Sequence, residues 1–101
     1  KWIISSLSSN AKIVIDSGAA KALSSGKSLL PAGIIKVVEK FNKGENVLIV
    51  DENEKNLARG LSSFSSDEIN KVKGLQSNQI KDVLGYSSKS EIVHKDDMVK
   101  L

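Results

Sequence analysis

With 101 residues, 40% apolar and 27% charged, the chain has the composition of a folded globular domain and is too short for more than one sizeable core. No apolar run approaches the roughly 18 to 20 residues needed to cross a bilayer, and the opening KWIISSLSSN lacks the apolar stretch and cleavage site of a secretory leader, so no membrane partner is expected. Zero cysteines exclude a disulfide framework and thiolate metal sites, and the net charge of +3 is too small to mark a dedicated nucleic-acid binder by itself, so a cytoplasmic protein held together by packing is expected.

In chain order, the β-branched run Lys12 to Ile15 predicts a first strand, and its unbroken Ile13-Val14-Ile15 reads as a strand covered on both faces. Asp16 or Ser17 then caps a helix whose Ala19, Ala20 and Leu23 share one stripe, with Gly26 as its stop. Pro31 and Gly33 occupy the second and fourth places of a type I turn over 30–33, which leads into a second strand, Ile34–Val38. Turn residues at 42–45 and 51–54 separate that strand from a third over 47–50 and a fourth over 57–64, and the three are expected to form an antiparallel meander. Gly60 inside the fourth run marks a bulge or a close backbone approach.

Ser65 and Glu68 have the spacing of a capping box for a second helix, with Ile69 and Val72 on its buried side. A third helix capped by Ser77 would place Ile80, Val83 and Leu84 on one face and end at Gly85, and 91–94 begins a last strand. Strands outnumber helices, and a closed or nearly closed small barrel is the economical way to bury the first strand.

Residues that carry chemistry are sparse. His94 is the only histidine, and with no cysteine to accompany it there is neither a metal-ligand cluster nor a nucleophile and base of familiar spacing. Asp96 and Asp97 beside it read as a solvated terminal segment. Gly26-Lys27-Ser28 has the ending of a phosphate-binding loop, but the glycine required five residues earlier is replaced by Lys21. Arg59, the only arginine, is either a surface residue paired with an acid or a phosphate contact. Charge is uneven: residues 1–40 hold six lysines against Asp16 and Glu39, whereas residues 41–101 hold nine basic and ten acidic side chains. The chain also opens at Lys1 with no initiator methionine, as a piece of a longer protein would.

The order Asp16, Gly18, Ala19, Ala20, then Ser28 to Pro31 and Gly33, resembles the opening of a PUA domain. Phe41, Gly44 and Val47, followed by Ala58-Arg59-Gly60-Leu61, resemble its central strands. Gly74-Leu75, the stretch 80–86, the ending Glu91-Ile92-Val93-His94-Lys95-Asp96 and Trp2 after a basic residue are similar to the branch at the C-terminus of bacterial glutamate 5-kinases. The likeness covers nearly the whole chain.

This resemblance implies a mainly β fold, a mixed and mostly antiparallel pseudo-barrel flanked by short helices, with residues 1–101 as one domain excised from a larger kinase. It implies a parent, expected to be a homo-oligomer, that phosphorylates L-glutamate with ATP and Mg2+ under feedback by proline. Those cofactors and the catalytic residues would belong to the preceding amino acid kinase domain, leaving this chain with none of its own. Two roles follow. As a regulatory and structural appendage it would meet the kinase domain through Trp2, Ile3 and Ile4, because clustered large apolar groups usually mark a contact. As an RNA-binding module it would grip structured RNA through Lys21, Lys27 and Ser28, backbone around Gly18 and Gly33, and Lys36 and Arg59. With aromatics only 4% of the chain, base stacking would be scarce and binding salt-sensitive.

Overall fold

A computed structural model describes residues 11–85 and 91–101. Five strands, β1 (Lys12–Ile15), β2 (Ile34–Val38), β3 (Asn46–Val50), β4 (Asn56–Leu61) and β5 (Met98–Lys100), form one sheet in the order β2-β1-β3-β4-β5. β1 runs antiparallel to β2 and parallel to β3, while β3–β4 and β4–β5 are antiparallel. The fold is therefore mainly β, mixed and mostly antiparallel, as the resemblance implies.

The expected three-strand meander is not formed. β1 sits between β2 and β3, so only β3 and β4 make the local hairpin. The physical reason is the apolar character of β1: with a strand on each side and no polar residue in Ile13-Val14-Ile15, all three side chains are buried, which an edge position would not allow. Asp51 organises the β3–β4 turn, its Oδ1 accepting the amides of Asn53 at 2.8 Å and Lys55 at 2.9 Å.

Alternation fixes the two faces of the sheet. Ile13, Ile15, Ile34, Val47, Ile49 and Ala58 point to the core, joined there by Leu23, Phe41, Phe64, Ile69, Val72, Ile80, Ile92 and Val93. The helices close this face. Helix α1 (Ser17–Ser24) starts where Asp16 accepts the amide of Ala19 at 2.8 Å, and Asp16 itself donates its amide to the Gly33 carbonyl at 2.9 Å. Gly33, closing the 3-10 turn Pro31–Gly33, is thereby pressed against α1: a Cβ there would land on the Ala19 methyl.

Helix α2 (Ser66–Val72) has the reciprocal capping box, Glu68 N–H to Ser65 Oγ at 3.2 Å and Ser65 N–H to Glu68 Oε1 at 2.8 Å, and it buries Ile69 and Val72 as the sequence predicts. Helix α3 (Ile80–Leu84) ends at Gly85 in the left-handed region, φ 78°, but is shorter than expected because residues Ser77–Gln79 form a 3-10 turn. Val83 is exposed and not on the buried face with Ile80.

Two further expectations are corrected. β4 ends at Leu61 and not at residue 64: the Ser62 backbone still bonds to Glu45 and Gly44, but Ser63 turns away to donate its amide to the Ile92 carbonyl at 2.8 Å, and the Ser62 hydroxyl donates to the Phe64 carbonyl. Residues 91–94 do not begin the last strand. They cross the loop after α1 through a single bridge between Leu29 and Val93, with Leu29 N–H to Val93 O at 2.9 Å and Ile92 N–H to Leu29 O at 2.7 Å, and β5 follows. Gly60 is a close approach and not a bulge: a Cβ there would stand 2.7 Å from the Asp97 carbonyl oxygen and 2.8 Å from Val93 Cγ1, while the β3–β4 irregularity lies nearer the turn. No helix among the described residues is long and apolar enough to cross a membrane.

Candidate nucleic-acid interface

The cationic residues singled out in the sequence fall on two separate surfaces. The first is an open groove between the loop after α1 and the segment preceding β5, where Lys27 and Ser28 meet Glu91, His94 and Lys95. The bridge at Leu29 and Val93 holds the two walls together, and the Lys95 amide donates to Ser28 Oγ at 2.8 Å. Lys21 is exposed on α1 upstream of this loop, and Lys100 Nζ reaches the Ser24 carbonyl at 3.4 Å, placing a cation at the negative end of the helix. Lys27 and Lys95 thus line the groove together with one carboxylate, Glu91.

His94 belongs to this wall. Its Nδ1 accepts the Asp96 amide at 3.0 Å and stands 3.6 Å from Asp96 Oδ2. The ring caps the 3-10 turn Lys95–Asp97. Neither His94 nor Lys95 enters the face drawn from the sequence, because their approach to Lys27 depends on a contact between residues far apart in the chain. The proximity of Lys95 to an acidic Asp-Asp pair masked it.

The second surface is the outer face of the sheet. Lys36 lies opposite Val14 in register and lines a cleft with Lys12, Asp51, Glu52 and Glu54. Arg59 stands on the same face, opposite Leu48, and donates through Nη1 to Asn46 Oδ1 at 2.9 Å. Its partner is an amide and not the acid expected of a surface arginine. Lys36 and Arg59 are therefore not gathered with Lys27 and Ser28.

The glycines serve the backbone. The Gly33 amide is used within the turn, donating to the Leu30 carbonyl at 3.3 Å, and its carbonyl is taken by Asp16. Gly18 is exposed in the first turn of α1. Phe41 and Phe64 are buried and offer no stacking platform. Trp2, Ile3 and Ile4, the expected domain contact, lie outside the described residues. Among the described residues no group of three or more His, Cys, Asp or Glu side chains is placed to hold a metal ion.

The model of the PUA domain family matches residues 11–84. Over 101 residues the chain is 55% identical to the glutamate 5-kinase of Pelagibacter ubique, a match covering 100% of this chain and 27% of that protein. It is 46% identical over 98 residues to the glutamate 5-kinase of Bartonella henselae, covering 97% of this chain and 26% of the relative. The chain thus spans about a quarter of the length of the curated relatives it matches. Among solved structures, a PUA domain from Aeropyrum pernix K1 in a tartrate complex superposes with a TM-score of 0.64 at 20% identity, over 84% of this chain and 41% of that one. A chain of an archaeal box H/ACA sRNP complex gives 0.63 at 24% identity, over 90% of this chain and 24% of its own. At those identities the two structures speak to the fold alone.

Proposed function

The chain belongs to the PUA domain family, and we propose that it is the non-catalytic C-terminal module of a glutamate 5-kinase, acting as a regulatory and structural appendage. The observation that carries this reading is the end-to-end match of the chain to about a quarter of several glutamate 5-kinases. In that parent, ATP-dependent phosphorylation of L-glutamate to L-glutamyl 5-phosphate, with Mg2+, would be the work of an amino acid kinase domain on the same polypeptide. The module would act on it through contact, adjusting subunit association or the response to proline. A fold does not itself assign a role, so the test must separate catalysis from control. In the full-length gene product, removal of this segment is expected to leave glutamate phosphorylation in place. The half-inhibiting proline concentration should move by about five-fold or more, the lower end of ordinary allosteric coupling, or the subunit association should change. Unchanged proline response together with unchanged association would remove the regulatory role.

A second reading, binding of structured RNA, is favoured by one specific arrangement. Lys27, Ser28, His94 and Lys95 line a single groove next to the helix that carries Lys21, and cations there would displace counterions from a phosphate backbone. One structural neighbour is a component of an RNA-protein complex, which accords with this reading. Reversing charge at both Lys21 and Lys27 is expected to weaken binding to a labelled transfer RNA and to make the salt dependence shallower by about two in log-log slope. Fluorescence anisotropy at several salt concentrations measures both. An affinity that ignores the double reversal would exclude this groove as the RNA face.

A further inference from the structure

On the outer face of the sheet a cleft of about 220 Å³ lies between β2 and the β3–β4 turn, and strand register builds it. Lys36 on β2 pairs with Val14 on β1, and Val14 pairs with Val50 on β3, so the three stand in one row across the sheet. Two strand spacings, about 9–10 Å, separate the ends of that row. Val14 and Val50 are buried side chains and form the apolar floor. Lys12, whose partner on β2 is Val38, lies diagonal to Lys36 and completes a cationic wall. Asp51, Glu52 and Glu54, where the hairpin turns beyond Val50, make the acidic wall.

The two walls do not satisfy one another. Among the described residues, Lys12, Lys36, Glu52 and Glu54 make no ion pair within 4.0 Å. Like charges set diagonally on one face repel, which favours an anion held between the two lysines. Asp51 has one oxygen committed to the turn through the amides of Asn53 and Lys55, so the exposed Glu52 and Glu54 are the main acceptors opposite them. Glu54 is kept there against its backbone preference: its φ is 63°, in the left-handed region that favours glycine, with its amide tied to the Asp51 carbonyl at 3.0 Å.

We propose that this cleft binds a short aliphatic ω-amino acid, its carboxylate between Lys12 and Lys36, its terminal ammonium on Glu52 and Glu54, and its methylene chain along Val14 and Val50. The occupant is small, because the cleft falls below the roughly 300–1,000 Å³ of sites for drug-sized ligands. It carries both signs, since each wall repels a ligand of its own charge. With Asp51 partly spent on the turn, two lysines face two glutamates, and a neutral zwitterion leaves that balance undisturbed. The span of the row adds a selection by length. An α-amino acid holds both charged groups on one carbon, whereas a chain with its charges at opposite ends extends from one wall to the other.

Titration of the 15N-labelled full chain with 5-aminovalerate, followed by NMR, tests the assignment. Saturable shifts are expected in the amides of Val14, Lys36, Val50 and Glu54. Norvaline, an isomer with the same two charges on one carbon, and valerate, which lacks the ammonium, are each expected to bind at least about ten-fold more weakly, the usual loss for one charge-assisted hydrogen bond. Lys36→Gln, on an exposed side chain, and Glu54→Gly, which suits the left-handed backbone and so retains the fold, are each expected to weaken 5-aminovalerate by about ten-fold. Shifts that grow linearly with 5-aminovalerate, an equal affinity for norvaline or valerate, or an affinity unchanged in either variant would overturn the proposal.

Discussion

Gly33→Ala is expected to lower the unfolding free energy by about 3 kcal/mol, the upper part of the range for an added methyl in a closed interface. The new carbon would fall on the Ala19 methyl, with Ala19 Cα 3.5 Å and Asp16 Oδ1 3.6 Å away, so helix α1 could escape only by moving off the sheet. Such movement would break the bond from the Asp16 amide to the Gly33 carbonyl and the cap that Asp16 gives Ala19. Removing the opposing methyl with Ala19→Gly should relieve the clash, although the glycine costs the helix about 0.5–1 kcal/mol on its own. Urea unfolding of the two single variants and the double variant gives a coupling energy, expected at about 1–2 kcal/mol in the relieving direction. Additive effects would show that the contact between α1 and the turn is not what makes glycine necessary at position 33.

Ile49→Ala is expected to cost about 2–5 kcal/mol, because the lost burial is compounded by a cavity that the sheet cannot collapse to fill. Ile49 is fully buried on β3, the strand with β1 on one side and β4 on the other, so neither neighbour can shift inward without breaking its own ladder. Against a typical total of about 5–15 kcal/mol, a loss of that size leaves a domain near the edge of stability. The urea midpoint should fall with the slope unchanged. A midpoint within error of the parent would mean that the core is plastic at its centre, contrary to the close packing of ordinary interiors.

Local structure was legible in the residues where a local rule applies. Asp16, one of the two caps the sequence offered, caps α1, Ser65 and Glu68 form their box, Gly85 adopts its left-handed conformation, and Ile13 to Ile15 are covered on both faces, each from a short run whose chemistry narrows the choice. The strand order was not legible. Nothing in 34–38 or 47–50 says that β1 will come between them, because backbone pairing is indifferent to which strand supplies the partner. The last strand was misplaced for a related reason: Ile92 and Val93 look more like a strand than Met98 to Lys100, yet they serve as core plugs held by one bridge, while the pairing goes to the less apolar segment. The grouping of Lys27 with Lys95, and of Asn46 with Arg59, rests on those same long-range pairings. A polar residue at the head of a strand ordinarily faces water, and only the diagonal contact with Arg59 makes Asn46 an exception.

The placement of β1 also sets the order in which the molecule can assemble. β3 and β4 are joined by a short turn and can zip together with little loss of chain entropy, but Lys12 must find Leu48 across the whole of α1, β2 and the loop that follows. β1 can pair with β2, the next strand in sequence, but its parallel pairing with β3 has no short connection to help it, so the rate-limiting event should be the capture of β1 by β3, with the β3–β4 hairpin formed beforehand. Until that capture, the apolar edge of β3 lies open to any other extended chain. The vulnerable moment of this fold is thus a stage in its making, and crowding by its own nascent copies is the hazard that stage invites.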